Sequence, residues 1–418
     1  MKFLDKAIYL SFVFTILTYL YSLNFNSYFL VLLTFFSILK FIKVKKISVY
    51  HYYLIPLLFF AIRLASLSYS ENLKNGLNAV ERSLPLLVCP FIIAVNLELL
   101  NRKLLFRILN VSVIVGVIVI FVKQAYFFYD AEIESIWWLD WKYNYNFLSN
   151  QINIRANYLS VVIAINIFYL VSLKFSVWRL FWVFVEIVVI LLLSSRAVIL
   201  FVFIAIFIYI LRIAYLKFSY KGLLVSFVFF IAFSALVFEM VPVHKQRFIR
   251  SFQELTTDNH NTVKVGGINS RIGTFYSSLE LIMANPILGV GIGDVRAEIV
   301  DTHRRRNFID GVKHSLDSHN QFLQSFVGTG ILGFLLTVLL VLAPLFKAIG
   351  ERTFLDIAIS SLFAYMFFFE SFIETQKGIV LFCIVTLIVF SEHDFNYTKL
   401  GTWKYFGLKT LIFPRPLK

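Results

Sequence analysis

The chain has 418 residues, of which 59% are hydrophobic, 18% aromatic and only 15% charged. Its mean hydropathy is +0.80, usage far outside that of a water-soluble domain. The 39 Lys and Arg outnumber the 24 Asp and Glu, for a formal net charge of +15, but no aromatic RNA-binding motif or basic recognition helix accompanies them. The composition therefore reads as an integral membrane protein with basic cytoplasmic segments and excludes nucleic acid as the partner.

Lipid offers no water to backbone groups, so spanning segments are helices or closed barrels, and apolar runs near the length of a bilayer select helices. Lys2 and Lys6 precede an apolar run from Ala7 as in a signal peptide, yet no small-residue cleavage site follows, so it reads as a retained first helix. Apolar runs at 7–24, 27–42, 50–68, 83–97, 108–128, 156–173, 178–194, 196–211, 222–239, 326–346, 353–370 and 377–391 predict about twelve transmembrane helices in an all-α membrane protein. Starting inside, this count places Lys40, Lys43, Arg102, Lys103, Lys174, Arg179, Arg212, Lys217, Lys347 and Arg352 on the cytoplasmic side, as the positive-inside bias requires. Both termini are then cytoplasmic. Cys89 and Cys383 fall inside spans and read as packing residues.

Four regions follow: nine spans within 1–240, a long external loop at 241–326, three spans within 327–391, and a tail at 392–418. In the tail, Lys399, Lys404, Lys409, Arg415 and Lys418 alternate with Trp403, Tyr405, Phe406 and Phe413, a pattern suited to anionic lipids of the inner leaflet. A second external segment, Tyr129 to Gln151, holds Trp137, Trp138, Trp141, Tyr143 and Tyr145 and reads first as an interfacial aromatic belt, with stacking on sugars as the sharper alternative. Asp130, Glu132 and Glu134 beside it read as a solvated acidic face.

A structureless loop as long as 241–326 is uncommon, so helices are expected within it. Apolar Ile272, Phe275, Tyr276, Leu279 and Ile282 recur at helical steps over Arg271 to Asn285, with Asn269 or Ser270 as cap and Pro286 as stop. Arg271 then sits in the first turn. The following Asn285-Pro286 and Gly289, Gly291 and Gly293 come after a helix, not after a strand, and are no dinucleotide fingerprint. Tight turning is the plain reading of those glycines.

Arginine at the edge of a hydrocarbon layer is costly and marks function by default. Arg196 follows Ser194 and Ser195 with no acidic residue within nine positions, and Arg155 opens a span in Asn-Ile-Arg-Ala-Asn-Tyr. With Arg271 they fall on one side of the membrane. Arg63 and Arg82 read as paired or snorkelling. His319 and Asn320 are followed by nine residues, Gln321 to Thr329, and then by Gly330 and Gly333. A histidine there can take a proton from a hydroxyl at the membrane surface, and the small residues let the next helix begin close to its neighbours. His303 and His260 read as solvated loop histidines. His314, Asp317 and His319 are close in sequence, but their spacing suits neither face of a helix as a metal site, and none is assigned.

Ser195-Arg196, Asn269-Ser270-Arg271, Asn285-Pro286 with its glycines, and Ser318-His319-Asn320 through Gly333 together resemble the bacterial O-antigen ligase family, over about 180–388. The resemblance implies a GT-C-like fold in the bacterial inner membrane with the long loop periplasmic. It implies a glycosyltransferase without cofactor or metal, moving a glycan from an undecaprenyl diphosphate carrier to a lipid A-core or other glycan acceptor. Arg196 and Arg271, with Arg155, would bind the diphosphate, His319 would be the base, and Asn320, Gly330 and Gly333 would support it. The same motifs admit an O-antigen polymerase. From a different class, a lipid or glycan transporter would line both leaflets with charge, whereas these charges cluster on one face.

Overall fold

A computed structural model describes residues 2–21, 23–48, 51–100, 102–130, 143–213, 268–351 and 353–391. Among them the secondary structure is helical, without strands. The helices are α1 (Lys2–Thr18), α2 (Leu23–Val44), α3 (Leu54–Ala65), α4 (Leu73–Ser83), α5 (Pro85–Asn96), α6 (Arg102–Asp130), α7 (Asn146–Asn150), α8 (Ala156–Ser172) and α9 (Val177–Leu192), followed by α10 (Arg196–Ile213). Then come α11 (Ile268–Ala284), α12 (Val295–Arg305), α13 (Ile309–His314), α14 (Gln321–Glu351), α15 (Phe354–Phe367) and α16 (Gln376–Ser391). Each expected apolar run is helical except 222–239, which lies outside the described residues. Among the described residues six helical stretches are long and apolar enough to cross a membrane, and α8, α15 and most of α16 are shorter apolar helices.

Helices that are apolar on every side are buried on every side. α8 and α16 follow that rule: Val161, Ile163, Ile165 and Phe168 of α8, and Ile379, Phe382, Leu387 and Ile388 of α16, have almost no exposed surface. The other spans surround them, with α5 against α16, α3 and α15 against α14, and α15 against α8. Outer helices expose apolar chains such as Phe25, Val31 and Ile42 of α2 and Leu200, Ile204 and Ile208 of α10, which a bilayer would cover. Cys89 and Cys383 are buried, free thiols.

The loop helices α11 and α12 carry a smaller core of Leu281, Ile282, Val295 and Ile299, joined by Val327 from α14. As expected, α11 stops before Pro286. It begins at Ile268, however, so Ser270 lies inside the helix and is buried instead of capping it. α14 is broken at Thr329 and Gly330, the latter at φ 64° and ψ −159°, a region essentially confined to glycine. The glycine loop fills the break: Val290 N donates to Val327 O at 2.8 Å, Gly291 N to Gly328 O at 3.1 Å, and Ile331 N to Pro286 O at 3.1 Å. Broken backbone at membrane depth requires such protein partners. Asp294 then ties this loop to the start of α4, accepting from Glu71 N and Asn72 N, both at 2.8 Å.

Candidate active site

The loop after α13 turns twice through the left-handed region, at Ser315 (φ 47°) and at His319 (φ 45°). A non-glycine residue in that conformation is held there by its surroundings. Asp317 Oδ1 accepts from the His319 amide at 2.9 Å, an Asx turn that offsets part of the cost. Asn320 Oδ1 then caps α14, accepting from Phe322 N at 2.9 Å and Leu323 N at 3.1 Å. Asn320 therefore fixes where α14 begins, directly after His319.

His319 Nδ1 faces two carboxylates, Asp317 Oδ1 at 3.5 Å and Glu370 Oε2 at 3.9 Å. Burial by itself would lower the proton affinity of the ring, but the Glu370 and Asp317 carboxylates outweigh it, against Arg271, and the pKa is raised. Nε2 makes no hydrogen bond to any described residue, so it is the nitrogen available to a substrate. With carboxylates on one nitrogen and the other open, the ring has the geometry of a general base.

Glu370 lies in the turn after α15, anchored by its amide to Met366 O at 2.9 Å. Its Oε1 accepts from Asn157 Nδ2 in the first turn of α8, and Asn157 Oδ1 accepts from Ser195 Oγ at 3.0 Å. Four structural elements meet around one carboxylate. Beneath it, Arg63 of α3 donates twice to Glu374, at 2.7 and 2.9 Å. Gln321, the first residue of α14, donates to Glu374 at 3.2 Å and accepts from Ile373 N at 2.9 Å. Burial works against ionisation of Glu374, but Arg63 and Gln321 overcome it and its pKa is lowered. The expectation of a paired Arg63 holds.

Arg271 Nη1 donates to Phe369 O at 2.9 Å, and the guanidinium lies over the Phe369 ring, 5.5 Å from its centroid. Partial burial lowers its proton affinity; Glu370 opposes this, and the nearby Arg196 charge adds to it. Arg196 is exposed at the start of α10, after a turn through Ser194 at φ 50°. Arg155, exposed just before α8, acts on Tyr158 together with Glu370 and Asp317. The structure thus gathers His319, Arg271, Arg196 and Arg155 around the Glu370 turn. Of the loop carboxylates, Glu280 faces Arg305 at 3.6 Å and Arg306 at 3.2 Å, and Asp294 accepts from backbone amides.

Gly330 and Gly333 do not line this cluster. A Cβ on Gly330 would lie 2.0 Å from Ile287 O, and one on Gly333 1.8 Å from Thr329 Oγ1, so both serve the break in α14. His303 is a correction. It is not solvated but buried, with Ser277 Oγ at 2.8 Å and Leu316 O at 3.2 Å. Trp137, Trp138, Trp141, Glu132, Glu134, His260 and the basic tail lie outside the described residues. Among the described residues no group of three or more His, Cys, Asp or Glu is arranged to hold a metal ion. Glu370, Glu374 and Asn157 were missed by sequence reasoning. The signal was present, since acidic residues at the end of an apolar run deserve the argument given to arginines.

Residues 180–338 match the model of the family described as O-antigen ligase. The match contains Arg196, Arg271, His319, Gly330 and Gly333 and ends before Glu370. No curated protein matches the chain.

Proposed function

With the match of residues 180–338 to the O-antigen ligase family as the premise, we propose that this membrane protein transfers a glycan from undecaprenyl diphosphate to a hydroxyl of a lipid A-core type acceptor, outside the cytoplasm. The observation that carries this reading is a histidine with one nitrogen held by carboxylates and the other open, beside Arg271 and Arg196. His319 Nε2 takes the acceptor hydroxyl proton as that oxygen attacks the anomeric carbon. The bond from that carbon to the diphosphate oxygen breaks in the same displacement, so the anomeric configuration inverts. Arg271, Arg196 and Arg155 hold the diphosphate and stabilise the charge it gains on leaving, since guanidinium groups bind phosphate oxygens in pairs and stay charged in poorly hydrated sites.

The test is reconstitution of the purified protein with a labelled undecaprenyl diphosphate glycan and a lipid A-core acceptor, without divalent metal, beside His319→Ala and Arg196→Ala. Label on the lipid A core, lost in both variants, is the expected result. Label lengthening on the polyprenyl carrier makes the protein a polymerase using the same residues. Absence of transfer across acceptors and metals overturns the reading in favour of transport.

A further inference from the structure

Ser195 directly precedes Arg196 in the chain, and its hydroxyl enters a line of hydrogen bonds that reaches Glu370, the carboxylate facing His319. Ser195 Oγ donates to Asn157 Oδ1 at 3.0 Å, Asn157 Nδ2 donates to Glu370 Oε1, and Glu370 Oε2 faces His319 Nδ1 at 3.9 Å. A carboxamide donates only from nitrogen and accepts only at oxygen. An ionised carboxylate can only accept, so Glu370 takes the nitrogen end of Asn157, the Ser195 hydroxyl holds the oxygen end, and Asn157 by occupying Oε1 leaves Oε2 toward the histidine. A carboxylate nearly 4 Å from the ring makes no strong hydrogen bond to hold itself in place, so its position depends on what grips its other oxygen.

We propose that Asn157 is a positioning residue, held at its oxygen end by Ser195, that keeps Glu370 against His319 and so couples the base to the helix that begins with Arg196. The proposal rests on the reading of His319 as the base. The groups facing His319 are Asp317 from its own loop, Glu370 from the turn after α15 and Arg271 from α11, while Arg155 and Tyr158 border the same carboxylates from α8. Asn157 and Ser195 are uncharged, so altering them removes none of these charges. Only the place of Glu370 changes.

The full-length protein in nanodiscs, labelled in its histidine rings, is titrated by NMR, with the His319 signal assigned by its loss in His319→Gln. Glu370 raises the His319 midpoint, so releasing it lowers that midpoint: the expected fall is about one pH unit in Asn157→Leu. The fall is smaller in Ser195→Ala, and Ser195→Thr, which keeps the hydroxyl, returns to the wild-type value. In the transfer assay Asn157→Leu loses about 10-fold or more in kcat, with donor KM unchanged and the acid limb moved to lower pH. A wild-type midpoint in Asn157→Leu, or a Ser195→Thr protein as altered as Ser195→Ala, overturns the proposal. Should Asn157→Leu not fold, the two serine variants decide it. Should the wild-type protein transfer no glycan, the functional reading falls while the titration still decides whether the relay exists.

Discussion

At His319 the two carboxylates determine the pH at which the ring can accept a proton. Its pKa is raised from 6.5 although burial pulls the other way, so the neutral, basic form becomes dominant only above the ordinary histidine range. The acid limb of kcat/KM is therefore expected above about pH 6.5, and Glu370→Gln should move it to lower pH while cutting the plateau about 10- to 100-fold through loss of orientation; a pH profile of both proteins checks this. A limb unmoved by that substitution would mean another group titrates. Glu374 poses the opposite case. Its folded pKa is lowered, against burial, by Arg63 and Gln321, so its contribution to stability is present above the unfolded carboxylate range and is lost as pH falls through the folded value. Arg63 is buried, and Arg63→Met leaves Glu374 charged without its partner, at an expected cost of about 3–5 kcal/mol. Pairing it with Glu374→Met should recover most of that loss in a thermal unfolding series. If the single variant melts like the wild type, Glu374 is not held by Arg63 in solution.

The break in α14 is an element-scale device. Its backbone groups are satisfied by the loop at 286–291, and that loop is pinned to α4 through Asp294, so the break joins the small loop core to the spans. At Gly330, φ is 64° and an added Cβ would sit 2.0 Å from Ile287 O, a backbone atom that cannot swing aside. Gly330→Ala should therefore detach the loop helices before it disturbs the spans, seen as faster limited proteolysis within 268–320 at temperatures where the spans stay folded. Unchanged cleavage would show that the loop tolerates the contact. Asn320→Ala should cost only about 1 kcal/mol, the usual loss of a helix cap. The sequence showed the glycines and the stop at Pro286, and helical periodicity found α11 to within three residues at its start. It could not show that Gly289 and Gly330 meet, because the contact joins backbones across the whole loop core and leaves no periodic trace. For the same reason Glu370 and Asn157 stayed hidden: each is one polar residue at the end of an apolar run, and only folding brings them together. His303 was misjudged because a loop histidine looks solvated until the core that buries it is known.

At the scale of the molecule, the apolar runs were legible because hydrocarbon imposes its thickness on the sequence directly, and the described helices follow them. Orientation rests on a different physical cause, the bias of Lys and Arg in short loops, and it decides whether His319 and the arginines meet a lipid-linked donor outside the cytoplasm. Two exposed positions separate the alternatives. Arg296 lies on α12 in the long loop, and Lys174 lies between α8 and α9, so the proposed topology puts the first outside and the second inside. The native thiols Cys89 and Cys383 are buried and should give little background. In intact cells with a permeable outer membrane, a membrane-impermeant maleimide is expected to label Arg296→Cys and to spare Lys174→Cys, and both should react once the inner membrane is broken. The reverse pattern would put the base and its arginines on the cytoplasmic face, where an acceptor assembled outside cannot reach them, and the transfer reaction would have to be abandoned with the topology.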